Sequence, residues 1–285
     1  MRAIVVLAEL WAASEIVLLT GPLRGAALVY AIGALALFFC SALTYLVTLP
    51  PRSARDAPIT RQLLPLQLAL TLLVVALTGW MLAVHAHALA FAPPLWSSIN
   101  RHLGAALAAV APGGLGPPLL NFAEYAVLPL VVLALLRVPF AKMGLGGFNR
   151  GSAASAAIWL VLPFFAVAYA ILYADTSVAL VGRRFLSSFF SSGFSQEFLF
   201  RGALFGRLRA LMPTQWAAFL QAIAFGLWHF GADVARGHGI VPALALMVPA
   251  QAAFAYAMAI LVRRSGNLAI PVVLHTTLDA LRSVV

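Results

Sequence analysis

Residues 26–49 read AALVYAIGALALFFCSALTYLVTL, without one charged side chain. A bilayer's hydrocarbon core is spanned by roughly 20 predominantly apolar residues in helical form, so a run of this length is a membrane helix. Similar runs recur along the whole chain. Of its 285 residues, 63% are apolar and 9% are charged. A typical soluble domain carries about 25% charged residues, so a water-soluble globular fold is excluded. Disorder is excluded too, because this much apolar surface would be buried rather than left in water. At roughly 20 residues per span there is room for eight or nine membrane helices. The expected fold is an all-α, polytopic membrane helix bundle.

The net charge of +10 would point to nucleic acid in a soluble protein. Here the arginines fall mostly between apolar runs, as in cytoplasmic loops, so no nucleic-acid partner is expected and the lipid bilayer takes that place. The single cysteine, Cys40, lies inside an apolar run, which removes disulfide and zinc-cluster readings. Glu9 and Glu15 interrupt the first run and no small-x-small cleavage site follows it, so a retained first span is expected.

Candidate spans are Ala3–Thr20, Ala26–Leu49, Leu63–Ala86, Leu119–Val138, Ala154–Tyr173, a less apolar helix Phe185–Leu211, then Gln215–Phe230, Ile240–Val262 and Leu268–Val284. The segment SSINRHLGAALAAV between the third and fourth suits a short interfacial helix. With the N-terminus in the cytoplasm, Arg52, Arg55, Arg61, Arg137, Lys142, Arg150, Arg207, Arg209, Arg263 and Arg264 fall inside. Arg24, Arg101, Arg183, Arg184, Arg236 and Arg282 then fall in outer loops.

An ionisable group at mid-membrane costs upwards of about 3 kcal/mol, so each is a functional hypothesis. Three spacings stand out in the C-terminal third. In QEFLFR, Glu197 and Arg201 are i, i+4 and share a helix face. In FGLWH, His229 sits on an otherwise apolar helix four residues after Phe225. In HTTLD, His275 and Asp279 are again i, i+4. Each alone fits an ion pair or a helix–helix hydrogen bond. Together, one carboxylate plus two imidazoles on three helices make the inventory of a water-activating hydrolytic site. Gly202, Gly206 and Gly226 would let the backbones approach closely there.

At these residues the chain resembles the CAAX-protease and bacteriocin-processing family, which includes the type II CAAX prenyl endopeptidases. That family's pattern is Glu-Glu-x-x-x-Arg, then Phe-x-x-x-His, then His-x-x-x-Asn/Asp. Here these read QEFLFRG (Gln196 to Gly202), FGLWH (Phe225 to His229) and HTTLD (His275 to Asp279). The resemblance covers about residues 140–285, leaving residues 1–139 as N-terminal membrane helices outside the family core. It implies a glutamate-type intramembrane endopeptidase that needs no metal and no other cofactor. It further implies that a motif glutamate, of which Glu197 is the one present, activates water with His229, and that His275 and Asp279 stand on the oxyanion side. Gln196, Arg201 and Phe225 complete the motif. The implied partner is a membrane-tethered protein or peptide substrate.

One position departs from the pattern. The family's first glutamate is Gln196 here, and a carboxamide cannot act as a general base. Adjacent helical residues point about 100° apart, so Glu197 does not simply take its place. Three readings stay open: Glu197 serves as base with a local helix distortion, the chain is an inactive scaffold or immunity protein, or the glutamine is an engineered replacement. Rival classes are a transport or binding protein, a zinc peptidase using Glu197, His229 and His275, and a serine peptidase using Ser195. The alanine-, leucine- and arginine-rich, nearly lysine-free composition suggests a GC-rich bacterial genome, so a bacterial cytoplasmic membrane is the expected location.

Overall fold

The computed structural model describes residues 2–48, 61–174 and 176–281. Among them secondary structure is helical, with no strand. The first helices are α1 (Arg2–Thr20), α2 (Arg24–Val47) and α3 (Leu64–His85). They are followed by α4 (Pro94–Val110) and α5 (Gly116–Leu135). Next come α6 (Arg150–Trp159), α7 (Val161–Leu172) and a continuous helix α8 over residues 178–211. The last three are α9 (Thr214–Gly237), α10 (Ile240–Ser265) and α11 (Ala269–Leu281). The protein is a polytopic helical membrane bundle.

Among the described residues, six helices (α1, α2, α3, α5, α9 and α10) are long and apolar enough to cross a bilayer. The pair α6 and α7, bent by 43°, makes a seventh if it counts as one span. The other two expected spans exist as helices but miss that criterion. Helix α8 carries Arg183, Arg184, Glu197, Arg201, Arg207 and Arg209, and α11 has only 13 described residues. The expected interfacial segment is α4, which Pro94 opens at a position where its missing N–H costs nothing.

The layering follows from which faces are apolar all round. Helix α2 exposes Leu28, Ile32, Leu35, Phe38 and Phe39, an apolar surface suited to lipid. Helix α10 is mostly buried and packs against α9 and α2. Lipid is as apolar as leucine, so helix association rests on close packing rather than on expulsion of water. Glycine provides that closeness at several crossings. Gly79 of α3 lies under the Trp228 ring of α9, and Gly226 of α9 lies under Met247 of α10. Trp228 Nε1 donates to Thr78 Oγ1 at 3.0 Å, which fixes the indole across the α3–α9 seam. Gly202 and Gly206, expected to serve helix–helix approach, instead accommodate the carbonyls of Met143 and Lys142 from the short turn before α6.

Candidate active site

Three helices carry the polar residues, and the winding of α8 decides which way its own residues point. Two π-helical stretches, Phe189–Gly193 and Phe198–Phe205, flank a single α-turn, Phe194–Glu197. A π-turn inserts an extra residue into a helix and is frequent at functional sites. It resets the rotation of the residues that follow. Gln196 then faces a cavity, whereas Glu197, one position on, turns inward and is fully buried.

Glu197 meets two partners there. Its Oε2 lies 3.2 Å from Arg201 Nε, one turn along α8. Its Oε1 lies 2.8 Å from His275 Nδ1 on α11, which donates the hydrogen bond. The Arg201 guanidinium is wedged between aromatic faces, 4.5 Å from the Phe225 centroid and 5.9 Å from that of Phe254. Buried cation–π contacts of this kind strengthen as water is excluded. Phe225, read from the sequence only as a motif position, is thus the platform under the arginine.

His275 has its second nitrogen, Nε2, 3.6 Å from Asp279 Oδ2, too far for a hydrogen bond and close enough for an ion pair. Phe254 packs against the ring at 5.0 Å. On α9, His229 Nδ1 lies 2.9 Å from the Phe225 carbonyl. A carbonyl only accepts, so Nδ1 holds the proton and Nε2 of the neutral ring keeps its lone pair. Phe225 and Trp228 hold the imidazole at centroid distances of 4.6 and 4.8 Å.

The cavity beside these groups has a volume of about 760 Å³. Gln196, His229, His275 and Asp279 line it, together with Gln251 of α10 and the Asp233–Arg236 ion pair of α9. Its apolar wall comes from α2, through Val29, Gly33, Leu37 and Cys40. Helix α11 reaches the cavity because Gly193 of α8 lies directly against Thr276, with no room for a side chain between them.

Several sequence expectations change here. Glu197, expected to activate water, is not among the cavity-lining residues. Both its oxygens are turned to protein partners, and of the adjacent Gln196 and Glu197 it is Gln196 that lines the cavity. Ser195 is buried and donates to the Phe190 carbonyl, so its hydroxyl is spent within its own helix rather than beside a histidine. Among the described residues no group of three or more His, Cys, Asp or Glu side chains is arranged to hold a metal ion. Glu124 is buried beside Asn100, which donates to it and ties α4 to α5 away from the cavity. Asp233, given no role by the sequence, and Arg236, expected in an outer loop, stand four and seven residues beyond His229, which places both on its helix face.

The fold and the site define a class: a multi-pass helical membrane protein in which two imidazoles and a carboxylate line a cavity among the helices, with a buried second carboxylate bonded to one imidazole. Residues 179–281 match the family model described as type II CAAX prenyl endopeptidase Rce1-like. That segment runs from the start of α8 to the end of α11 and contains all the polar motif residues, so the chain is Rce1-like over its C-terminal third. The helices before it lie outside the matched residues, yet α2 walls the cavity. No curated protein and no solved structure matches the chain.

Proposed function

We propose that the protein is an intramembrane endopeptidase that hydrolyses a peptide bond in a membrane-tethered protein or peptide, in a bacterial cytoplasmic membrane. The observation that carries the reading is the convergence of Gln196, His229, His275 and Asp279 on one cavity, with Glu197 bonded to the far side of His275. The Rce1-like match supports it, because that family groups peptidases.

The geometry favours a division of labour. His229 Nε2 takes a proton from a water molecule that the Gln196 carboxamide orients, and the water oxygen attacks the scissile carbonyl. His275, with Glu197 holding Nδ1, offers Nε2–H to the oxyanion of the tetrahedral intermediate. Asp279 assists only when protonated, since an ionised carboxylate would repel that oxyanion. The proton on His229 then passes to the leaving amine, which completes hydrolysis. Glu197 acts in this scheme as a positioning residue.

The test is a cleavage assay on membrane substrates co-expressed with the full chain or with Gln196→Glu, Glu197→Gln and His229→Ala. Cleavage by the natural sequence that His229→Ala abolishes is the expected result. Cleavage that persists in both Glu197→Gln and His229→Ala would sink the scheme. A second reading, an inactive scaffold or immunity protein, is favoured by the glutamine at position 196. Cleavage appearing only with Gln196→Glu would establish it.

A further inference from the structure

Resting on the peptidase reading, we propose that Arg236, oriented by Asp233, recognises a carboxylate on the substrate. Asp233 and Arg236 take no part in the chemistry above, yet both line the same cavity as His229. Asp233 is one turn beyond His229 on α9 and Arg236 about two. At 1.5 Å per residue, Arg236 stands about 10 Å along the helix from the histidine. The Asp233 side chain is 4% exposed and holds Arg236 through Nη1, whereas the arginine side chain is 49% exposed. The carboxylate thus fixes one corner of the guanidinium and leaves the rest of the fork open. A planar fork held at one corner is pre-organised for a second carboxylate, which it binds through two parallel N–H donors.

The composition of the cavity singles out this residue. Among the described residues that line it, Arg236 is the only arginine or lysine. A substrate carboxylate therefore has one guanidinium to dock on, displaced from the reacting centre by several residues of extended chain. Helix α9 ends just beyond, where Gly237 and Gly239 take positive φ of 83° and 75°. The chain leaves the helix there, directly after Arg236. The carboxylate could belong to an aspartate or glutamate side chain or to a free C-terminus; the chemistry recognised is the same.

Binding to the full-length protein, immobilised in nanodiscs, tests this without requiring turnover. The probe is a library of N-acylated hexapeptides, each made with a free and with an amidated C-terminus and containing acidic, neutral and basic side chains. Retained peptides are read by mass spectrometry. The wild type is expected to enrich carboxylate-bearing members about tenfold, the equivalent of 1.4 kcal/mol. Arg236→Gln should erase the enrichment, and Arg236→Lys should keep part of it. Arg236→Gln leaves Asp233 buried without this partner, so the Asp233→Asn/Arg236→Gln double variant provides a folded control that should also lose enrichment. The position of the enriched acid distinguishes a side chain from a free terminus. Equal retention of carboxylate and amide peptides by the wild type, or enrichment unchanged in the double variant, overturns the proposal. Peptides that are bound through Arg236 but never cut would leave it standing and remove the peptidase reading instead.

Discussion

Glu197 Oε1 accepts a hydrogen bond from His275 Nδ1 at 2.8 Å, so the acidic residue of the α8 motif lies behind the histidine of α11 rather than on the cavity wall. The same carboxylate pairs with Arg201, and both side chains are fully buried. Coulombic attraction between charges is strong where water is excluded, but so is the cost of leaving one of them alone.

Glu197→Gln therefore has two expected effects that can be separated. The amide can still accept from Nδ1, but it no longer stabilises a charged imidazole, and cleavage should fall by about 10²- to 10⁴-fold, the range seen when an oxyanion donor or a histidine-orienting carboxylate is disabled. Arg201 loses its counter-charge as well, which should cost about 3–5 kcal/mol of stability. The double variant Glu197→Gln/Arg201→Gln should recover much of the unfolding temperature in detergent without recovering cleavage. Recovery of both together would mean that Glu197 serves only to hold the bundle.

Asp279 leads to a sharper expectation. Its Oδ2 lies 3.6 Å from His275 Nε2, on the side where the oxyanion would form. An amide donates there without needing a proton, so Asp279→Asn should keep cleavage within about tenfold of the natural protein, whereas Asp279→Leu should lose about 10²- to 10³-fold, the cost of one oxyanion donor. Rates for the two variants at neutral pH decide the matter. Equal losses in both would assign Asp279 to charge balance with His275 instead of to the oxyanion.

The parts legible in the sequence were those governed by local rules. Apolar runs located α1, α2, α3, α5 and α10 to within about three residues, and α9 except for its last seven, because helix length must match bilayer thickness whatever the neighbours are. Motif spacing likewise singled out Gln196, His229, His275 and Asp279, which share one cavity, and Glu197, which contacts His275. The direction in which Glu197 points was not legible. It depends on π-turns at Phe189–Gly193 and Phe198–Phe205, and tertiary contacts select these rather than the residues themselves. Arg236 was read as an outer-loop charge because arginine usually marks loops, yet its helix continues far enough to bring it to the cavity. Gly193 carried no signal at all, since its importance is a contact with Thr276, distant in sequence.

That contact is testable. A Cβ at position 193 would overlap the Thr276 side chain, with the Thr276 Cα only 3.1 Å away. Gly193→Ala must push α11 off α8, at a cost of about 1–3 kcal/mol for overpacking. The larger consequence is that His275, next to Thr276, moves away from Glu197. Cleavage should drop well beyond what the shift in unfolding temperature explains. Thr276 Oγ1 is buried without a hydrogen-bond partner among the described residues, so removing it forfeits little. Thr276→Ala in the Gly193→Ala background should restore part of both properties, and failure to restore either would show that the crossing does not position the site.

Helix α2 supplies the last expectation, because it lies outside residues 179–281 and still forms a wall of the cavity. Gly33 faces that space, and a Cβ added there meets nothing within 4 Å. Gly33→Leu should therefore narrow the cavity without disturbing the packing. Its unfolding temperature should stay within a degree or two of the natural protein's, since helical leucine is if anything better tolerated than glycine. Cleavage of substrates with bulky side chains next to the scissile bond should fall, and substrates with alanine or glycine there should be cut as before. Gly25, on the same helix, is equally open but does not line the cavity, so Gly25→Leu is the matched control and should leave both substrate sets unaffected. Identical behaviour of the two leucine variants would place α2 outside the substrate path.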